Sequence, residues 1–188
     1  MSWKKLTEQI VYNGYRKIIQ KRFRLPSGKE ADFDVVQGGD FVTIAAFTPT
    51  KEAILVSQYR PGPEQSLISF PEGAIEKGED ILVSAARELE EETGYRARKI
   101  IYLKTFRMAY RVDRKICVLA VDCEKVGPQR LDDTEFIEVF TLPLEKFKQL
   151  LTNPTDESFT TVDAAFLALQ YFKKNRDHFV EKVENRDA

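Results

Sequence analysis

The chain has 188 residues, 43% apolar and 31% charged, the profile of one globular domain able to bury a core. Its 29 Lys and Arg are balanced by 30 Asp and Glu, which lacks the basic excess of a protein that coats nucleic acid. One histidine, His178, is too little for an imidazole triad or a multi-histidine zinc site, so hydrolytic chemistry here would rest on carboxylates, arginines and a bound cation.

Met1 to Thr7 lacks the apolar stretch of a signal peptide. No window reaches the run of about 18 apolar residues that crosses a bilayer. A cytoplasmic location, with no membrane partner, is the expectation. Ile18 to Leu25 alternates basic and apolar residues, Pro26-Ser27-Gly28-Lys29 is a turn, and Ala31 to Val36 is extended again. Gly28-Lys29 is no P-loop, because the upstream glycine and the following Ser or Thr are missing. Residues 1–38 are therefore expected to form a small β-sheet, 39–180 the main domain and 181–188 a polar tail. So short a sheet cannot bury a core alone, which predicts packing against a second subunit in a homodimer.

Phe41 to Phe47 and Ala53 to Tyr59 are β-type runs joined by Pro49-Thr50-Lys51, a hairpin. Pro61, Gly62 and Pro63 interrupt the sheet, and Leu67 to Phe70 is a brief strand leading into Pro71-Glu72-Gly73. From Asp80 to Thr93 the period becomes helical, with Leu82, Ala85, Ala86 and Leu89 as its buried stripe and Gly94 at its end. Strands follow at Ala97–Phe106, Lys115–Val121 and Ile137–Thr141, then helices at Leu144–Leu151 and Thr161–Lys173. The last is expected to bury Val162, Ala165, Phe166, Leu169 and Phe172. Cys117 and Cys123 share one face of a strand and read as buried free thiols, suited to a reducing compartment. The whole predicts an α/β fold with a central mixed sheet and helices on both sides.

The unusual segment is the end of the Asp80–Thr93 helix. Glutamates at 88, 90, 91 and 92 crowd its last two turns. At about 100° per residue, Glu92 stands about 40° and Glu91 about −60° from Glu88, while Glu90 points away at about 200°. Like charges at i,i+4 oppose the helix, and glutamates in a last turn oppose its dipole. A divalent cation between the side chains would remove the conflict; a solvated acidic face is the plainer alternative. Gly73 and Gly78 flank a turn able to approach the helix, and Arg87 can clamp Glu79 and hold loop to helix.

Gly73, five residues, Glu79, seven residues, then Arg87-Glu88-Leu89-Glu90-Glu91-Glu92-Thr93-Gly94-Tyr95 match every fixed position of the Nudix box. The chain thus resembles the Nudix hydrolases. The resemblance implies the Nudix fold, a mixed-sheet α/β/α sandwich. It also implies hydrolysis of a pyrophosphate bond in a nucleoside diphosphate linked to another moiety, with Mg²⁺ or Mn²⁺ as cofactor.

Outside the box the chain is similar to the ADP-ribose and nucleoside-diphosphate-sugar pyrophosphatase branch. The carriers are Leu25-Pro26-Ser27-Gly28, Val56-Ser57-Gln58-Tyr59-Arg60, Phe70-Pro71-Glu72-Gly73 and the segment Asp132 to Val139. By that resemblance Glu88 and Glu92 are metal ligands, Glu72 lends its backbone carbonyl, and Glu91 touches metal directly or through water. Arg60 contacts the substrate. The acidic loop supplies the catalytic base: Asp133 and Glu135 both align there, one as base and the other as a further ligand, and Glu135 is preferred as base for its longer reach. The branch also implies a homodimer with exchanged N-terminal sheets.

Phe106 to Asp113 lacks the proline common in ADP-ribose-specific members, and Ser69 stands where a glutamate is frequent. Both widen the expected substrates to nucleoside diphosphate sugars such as ADP-ribose or GDP-mannose. Arg107, Arg111 and Arg114 are candidates for a second phosphate, or simply a basic surface loop. The competing functions are pyrophosphohydrolysis of nucleoside triphosphates or 5′-capped RNA, and a nucleotide-sugar sensor without turnover. The charge balance argues against a long RNA partner.

Overall fold

The structure is a computed structural model that describes residues 2–175. His178 and the polar tail at 181–188 lie outside the described residues. Ten strands and three helices follow in the order β1 (Lys4–Asn13), β2 (Lys17–Arg24), β3 (Glu30–Gln37), β4 (Phe41–Phe47), β5 (Glu52–Arg60), β6 (Gln65–Ser69), β7 (Glu72–Ala74), α1 (Ile81–Thr93), β8 (Tyr95–Arg107), β9 (Arg114–Lys125), β10 (Ile137–Pro143), α2 (Leu144–Thr152) and α3 (Val162–Lys174). No helix among the described residues is long and apolar enough to cross a membrane.

The chain divides into two units, 1–41 with 105–116, and 42–104 with 117–188. In the first, β1, β2 and β3 form an antiparallel three-stranded sheet. Strand β1 was not foreseen, because Lys4 to Asn13 mixes charged and apolar residues without a clean period. Trp3, Phe23 and Phe33 pack ring to ring with centroids 5.3–5.9 Å apart. Asp113 is buried and accepts the N–H groups of Gly38 and Gly39 and a bond from Arg111 Nη2 at 2.7 Å. Arg114 pairs with Asp40, and Arg107 Nη1 donates to the Val112 carbonyl at 3.2 Å. The three arginines of this loop are thus engaged by their own neighbours.

The larger sheet runs β10-β5-β4-β9-β8, with β6 added to β5 and β7 to β4. The β4–β5, β5–β6 and β5–β10 pairs are antiparallel. Residues 116–121 of β9 are buried on both faces, which explains their unbroken apolar run. Cys117 and Cys123 are buried and not joined in a disulfide, and desolvation pushes Cys123 up to about 12. In the second unit Phe47, Phe70, Phe147, Phe159 and Phe172 form one aromatic cluster with centroids 5.0–6.1 Å apart. Each such pair contributes about 0.5–1.5 kcal/mol beyond its buried area.

Helix α3 buries part of the face its pattern predicted, with Ala165 buried and Phe172 in the aromatic cluster, but the buried stripe is rotated. Ala164, Ala165 and Ala168 are buried while Val162 and Phe166 are exposed.

Candidate active site

The site lies within the second unit and begins at the turn before α1. Phe70 is locked in the aromatic cluster, and its N–H donates to the buried Thr161 Oγ1 at 2.9 Å. The Pro71 carbonyl accepts from Ile44 N–H at 2.9 Å. These bonds fix Glu72 and Gly73 beside α1, which packs on β7. Asp80 caps the helix, its Oδ1 accepting from Leu82 N–H and Val83 N–H. Gly94 ends it at φ 67°, and a Cβ there would sit 2.2 Å from the Gly127 carbonyl oxygen. Only glycine meets both demands.

The buried side of α1 is Ser84, Ala85, Leu89, Glu92 and Thr93. Leu82 and Ala86, expected inside, are exposed. The buried stripe is rotated toward the acidic side, so Glu92 sits within it. At 8% exposure Glu92 is a carboxylate in the core. Desolvation pushes it up to about 8, against the pull of the Glu72 N–H that donates to its Oε2 at 3.1 Å. The charges of Glu88, Glu135 and Glu72 push the same way. Glu72 itself accepts a bond from the hydroxyl of the fully buried Thr43.

Glu88 lies against the Gly73 backbone. A Cβ on Gly73 would fall 1.8 Å from the Glu88 carboxyl carbon, so that space belongs to the carboxylate. Burial raises Glu88 above the usual carboxylate range, with Arg87 opposing and Glu91 and Glu135 adding to the rise. Arg87 is the hub of the loop. It clamps Glu79 through Nε and Nη2, both at 3.0 Å, and reaches the Ala74 carbonyl at 3.1 Å. Its Nη1 also donates to Glu88 at 2.8 Å and Glu91 at 3.0 Å. The Glu79 carboxyl is held down to about 2 by this clamp.

The acidic loop, residues 131–136, precedes β10, whose first residue Ile137 lies opposite Gln58, two residues before Arg60. Glu135 is half-buried and its charge acts on both Glu88 and Glu92, whereas Asp133 is exposed. Arg60 is half-buried at the end of β5. Glu90 faces the other way and pairs with Arg96 and Arg130.

Glu72, Glu88, Glu91, Glu92 and Glu135 are therefore drawn together, with Arg87 bonded to Glu88 and Glu91, while Asp133 is exposed. Sequence reasoning missed Thr43, and also Gln129 and Arg130, which bond to the last turn of α1. Their parts depend on tertiary closure, and no local signal marks them.

Among the described residues, no three acidic, histidine or cysteine side chains stand converged as a ready ion cage. Glu88 and Glu91 face Arg87, and Glu92 is bonded to the Glu72 amide. The donor set still fits a hard cation. It is all oxygen, it holds a buried carboxylate crowded by like charges, and its Gly73 gap brings a carboxylate against the backbone.

Residues 40–162 match the NUDIX domain. The chain is 32% identical over 174 residues to the methanol dehydrogenase activator of Bacillus methanolicus, covering 90% of this chain and 94% of that protein. It is 32% identical over 170 residues to the ADP-ribose pyrophosphatase of Bacillus subtilis, covering 88% and 89%. The crystal structure of an ADP compounds hydrolase superposes with a TM-score of 0.79 at 24% identity, over 93% of this chain and 96% of that one, and so has the same fold. The chain belongs to the Nudix family.

Proposed function

We propose that this chain hydrolyses the pyrophosphate bond of nucleoside diphosphate sugars, ADP-ribose and related ADP compounds first among them. It is a Nudix pyrophosphatase, and its products are a nucleoside monophosphate and a sugar phosphate. The observation that carries this reading is the grouping of Glu88, Glu92 and Glu135 about Glu72 and Gly73 in a Nudix chain. Similarity to an ADP-ribose pyrophosphatase over most of the chain supports the substrate class.

Glu88, Glu92 and the backbone carbonyl of Glu72, with Glu91 alongside, would hold Mg²⁺ or Mn²⁺, which supplies electrophilic pull on the phosphates and a more acidic water. Arg60 binds the diphosphate and balances the charge that builds on it during attack. Glu135 accepts the proton of the attacking water, with Asp133 as the second candidate. The water oxygen bonds to one phosphorus, and the bridging oxygen leaves with the other phosphate. For ADP-ribose the products are AMP and ribose 5-phosphate. Reaction in ¹⁸O-labelled water should put label on one phosphate and none on the sugar carbon. Label on the sugar would mean glycosidic cleavage and would overturn the reading.

The same reading includes a homodimer in the cytoplasm. Strand β1 ends its sheet and leaves Ile10, Val11 and Tyr12 exposed, an edge that a second copy would cover. Two buried cysteines outside any disulfide suit a reducing compartment. Sedimentation at twice 21.7 kDa is expected, and a monomer at tens of micromolar would refute the dimer.

A further inference from the structure

Gln129 lies half-buried between β9 and β10, and both bonds of its amide nitrogen go to backbone. Nε2 donates to the Glu92 carbonyl at 2.7 Å and to the Ile137 carbonyl at 3.0 Å. The first belongs to the last turn of α1, whose carbonyls lack intrahelical partners. The second opens β10. Next to it, the Arg130 N–H donates to the Glu91 carbonyl at 2.8 Å. Both ends of the 131–136 loop are thereby tied to the turn that carries Glu91 and Glu92.

Most of the loop faces solvent. Asp132, Asp133, Thr134 and Phe136 are exposed. Its internal bonds are Glu135 N–H to the Asp132 carbonyl at 2.9 Å and Asp132 N–H to Glu135 Oε2 at 3.2 Å. Those bonds shape the turn but do not place it. With Leu131 its one half-buried apolar residue, such a loop opens easily unless its ends are fixed. A glutamine at 129 has both the reach and the donors to fix them. Methionine has the length without the donors, and asparagine has the donors one methylene short.

We propose that Gln129 is a positioning residue, setting how far Glu135 stands from Glu88 and Glu92. The proposal rests on the reading above in which Glu135 takes the proton. A small displacement of a catalytic group costs up to about 10²-fold in rate.

The test is Gln129→Met, measured by steady-state kinetics on ADP-ribose with Mg²⁺ and by amide hydrogen exchange. The expected result is a kcat about 10- to 100-fold lower with KM within about twofold. Exchange should quicken across 131–136 and stay unchanged in β4 and α3. Gln129→Asn should show the same split in weaker form, so the test stands even if the methionine variant folds poorly. In a Glu135→Gln background, Gln129→Met should cost little further, because both changes act through one group. Wild-type kcat with unchanged exchange, a rise in KM alone, or fully additive losses in the double variant would overturn the proposal. Exchange needs no turnover: a wild-type chain inert toward every sugar nucleotide, with exchange quickened only at 131–136 in the variant, upholds the anchor and overturns only the function.

Discussion

Glu90 and Glu92 stand two residues apart on α1 and meet opposite conditions. Glu90 faces Arg96 and Arg130, and these arginines hold its carboxyl below the usual range. Glu92 is buried beneath the Glu72 turn with three carboxylates acting on it, and its carboxyl rises to about 8. One helix thus carries a glutamate that its neighbours satisfy and one that they do not. Folding alone has no use for the second, since a charge buried among like charges is destabilising. A residue kept at such a cost points to function on that side of the helix.

The largest expected effect sharpens the contrast from across the site. Glu135→Gln should lower kcat by about 10²–10⁴-fold, the usual cost of losing a general base. Asp133→Asn, measured in the same assay, should stay close to wild type, as its exposed place implies. The reverse outcome would move the base to Asp133, and full activity in both would move it to Glu91 or Glu138. Next, Glu92→Gln should lower kcat by roughly two orders of magnitude, in keeping with the loss of several kcal/mol of electrophilic help.

A third effect concerns stability in chelator. The Glu92 carboxyl rises from 4.5 to about 8 on folding, so the folded state favours its neutral form. Its stabilising contribution is complete below the unfolded value and is lost as pH rises through the folded one. The Tm of metal-free wild type should therefore fall relative to that of Glu92→Gln between about pH 5 and about pH 8. Thermal melts that keep a constant gap between the two would contradict the burial of that charge. The smallest effect belongs to Glu90→Gln. Exposed ion pairs contribute little, so its turnover should stay within about twofold of wild type.

The parts that were legible in the sequence are local. Asp80 and Gly94 bracket the helix, the Pro49-Thr50-Lys51 turn joins β4 to β5, and the spacing from Gly73 to Tyr95 marks the loop and helix that meet. Arg87 clamps Glu79 as its position suggested. The phase of the buried stripe was not legible. Leu82 and Ala86 have the hydrophobicity to be inside, but β7 packs on the side that carries Glu92. In α3 likewise, Ala164 and Ala168 are buried where Val162 and Phe166 were expected inside. Gln129 could not be found from sequence, since its two acceptors lie 37 and 8 residues away and meet only when the sheet has formed.

The proposed site puts a divalent cation on the Glu88 and Glu92 side of α1 and none on the Glu90 side. Titration of Mn²⁺ into wild type, Glu92→Gln and Glu90→Gln, followed by the electron paramagnetic resonance of free Mn²⁺, reads this without substrate. Equal affinity is expected for wild type and Glu90→Gln, and a loss of at least about tenfold for Glu92→Gln. Equal affinity in all three proteins would contradict it.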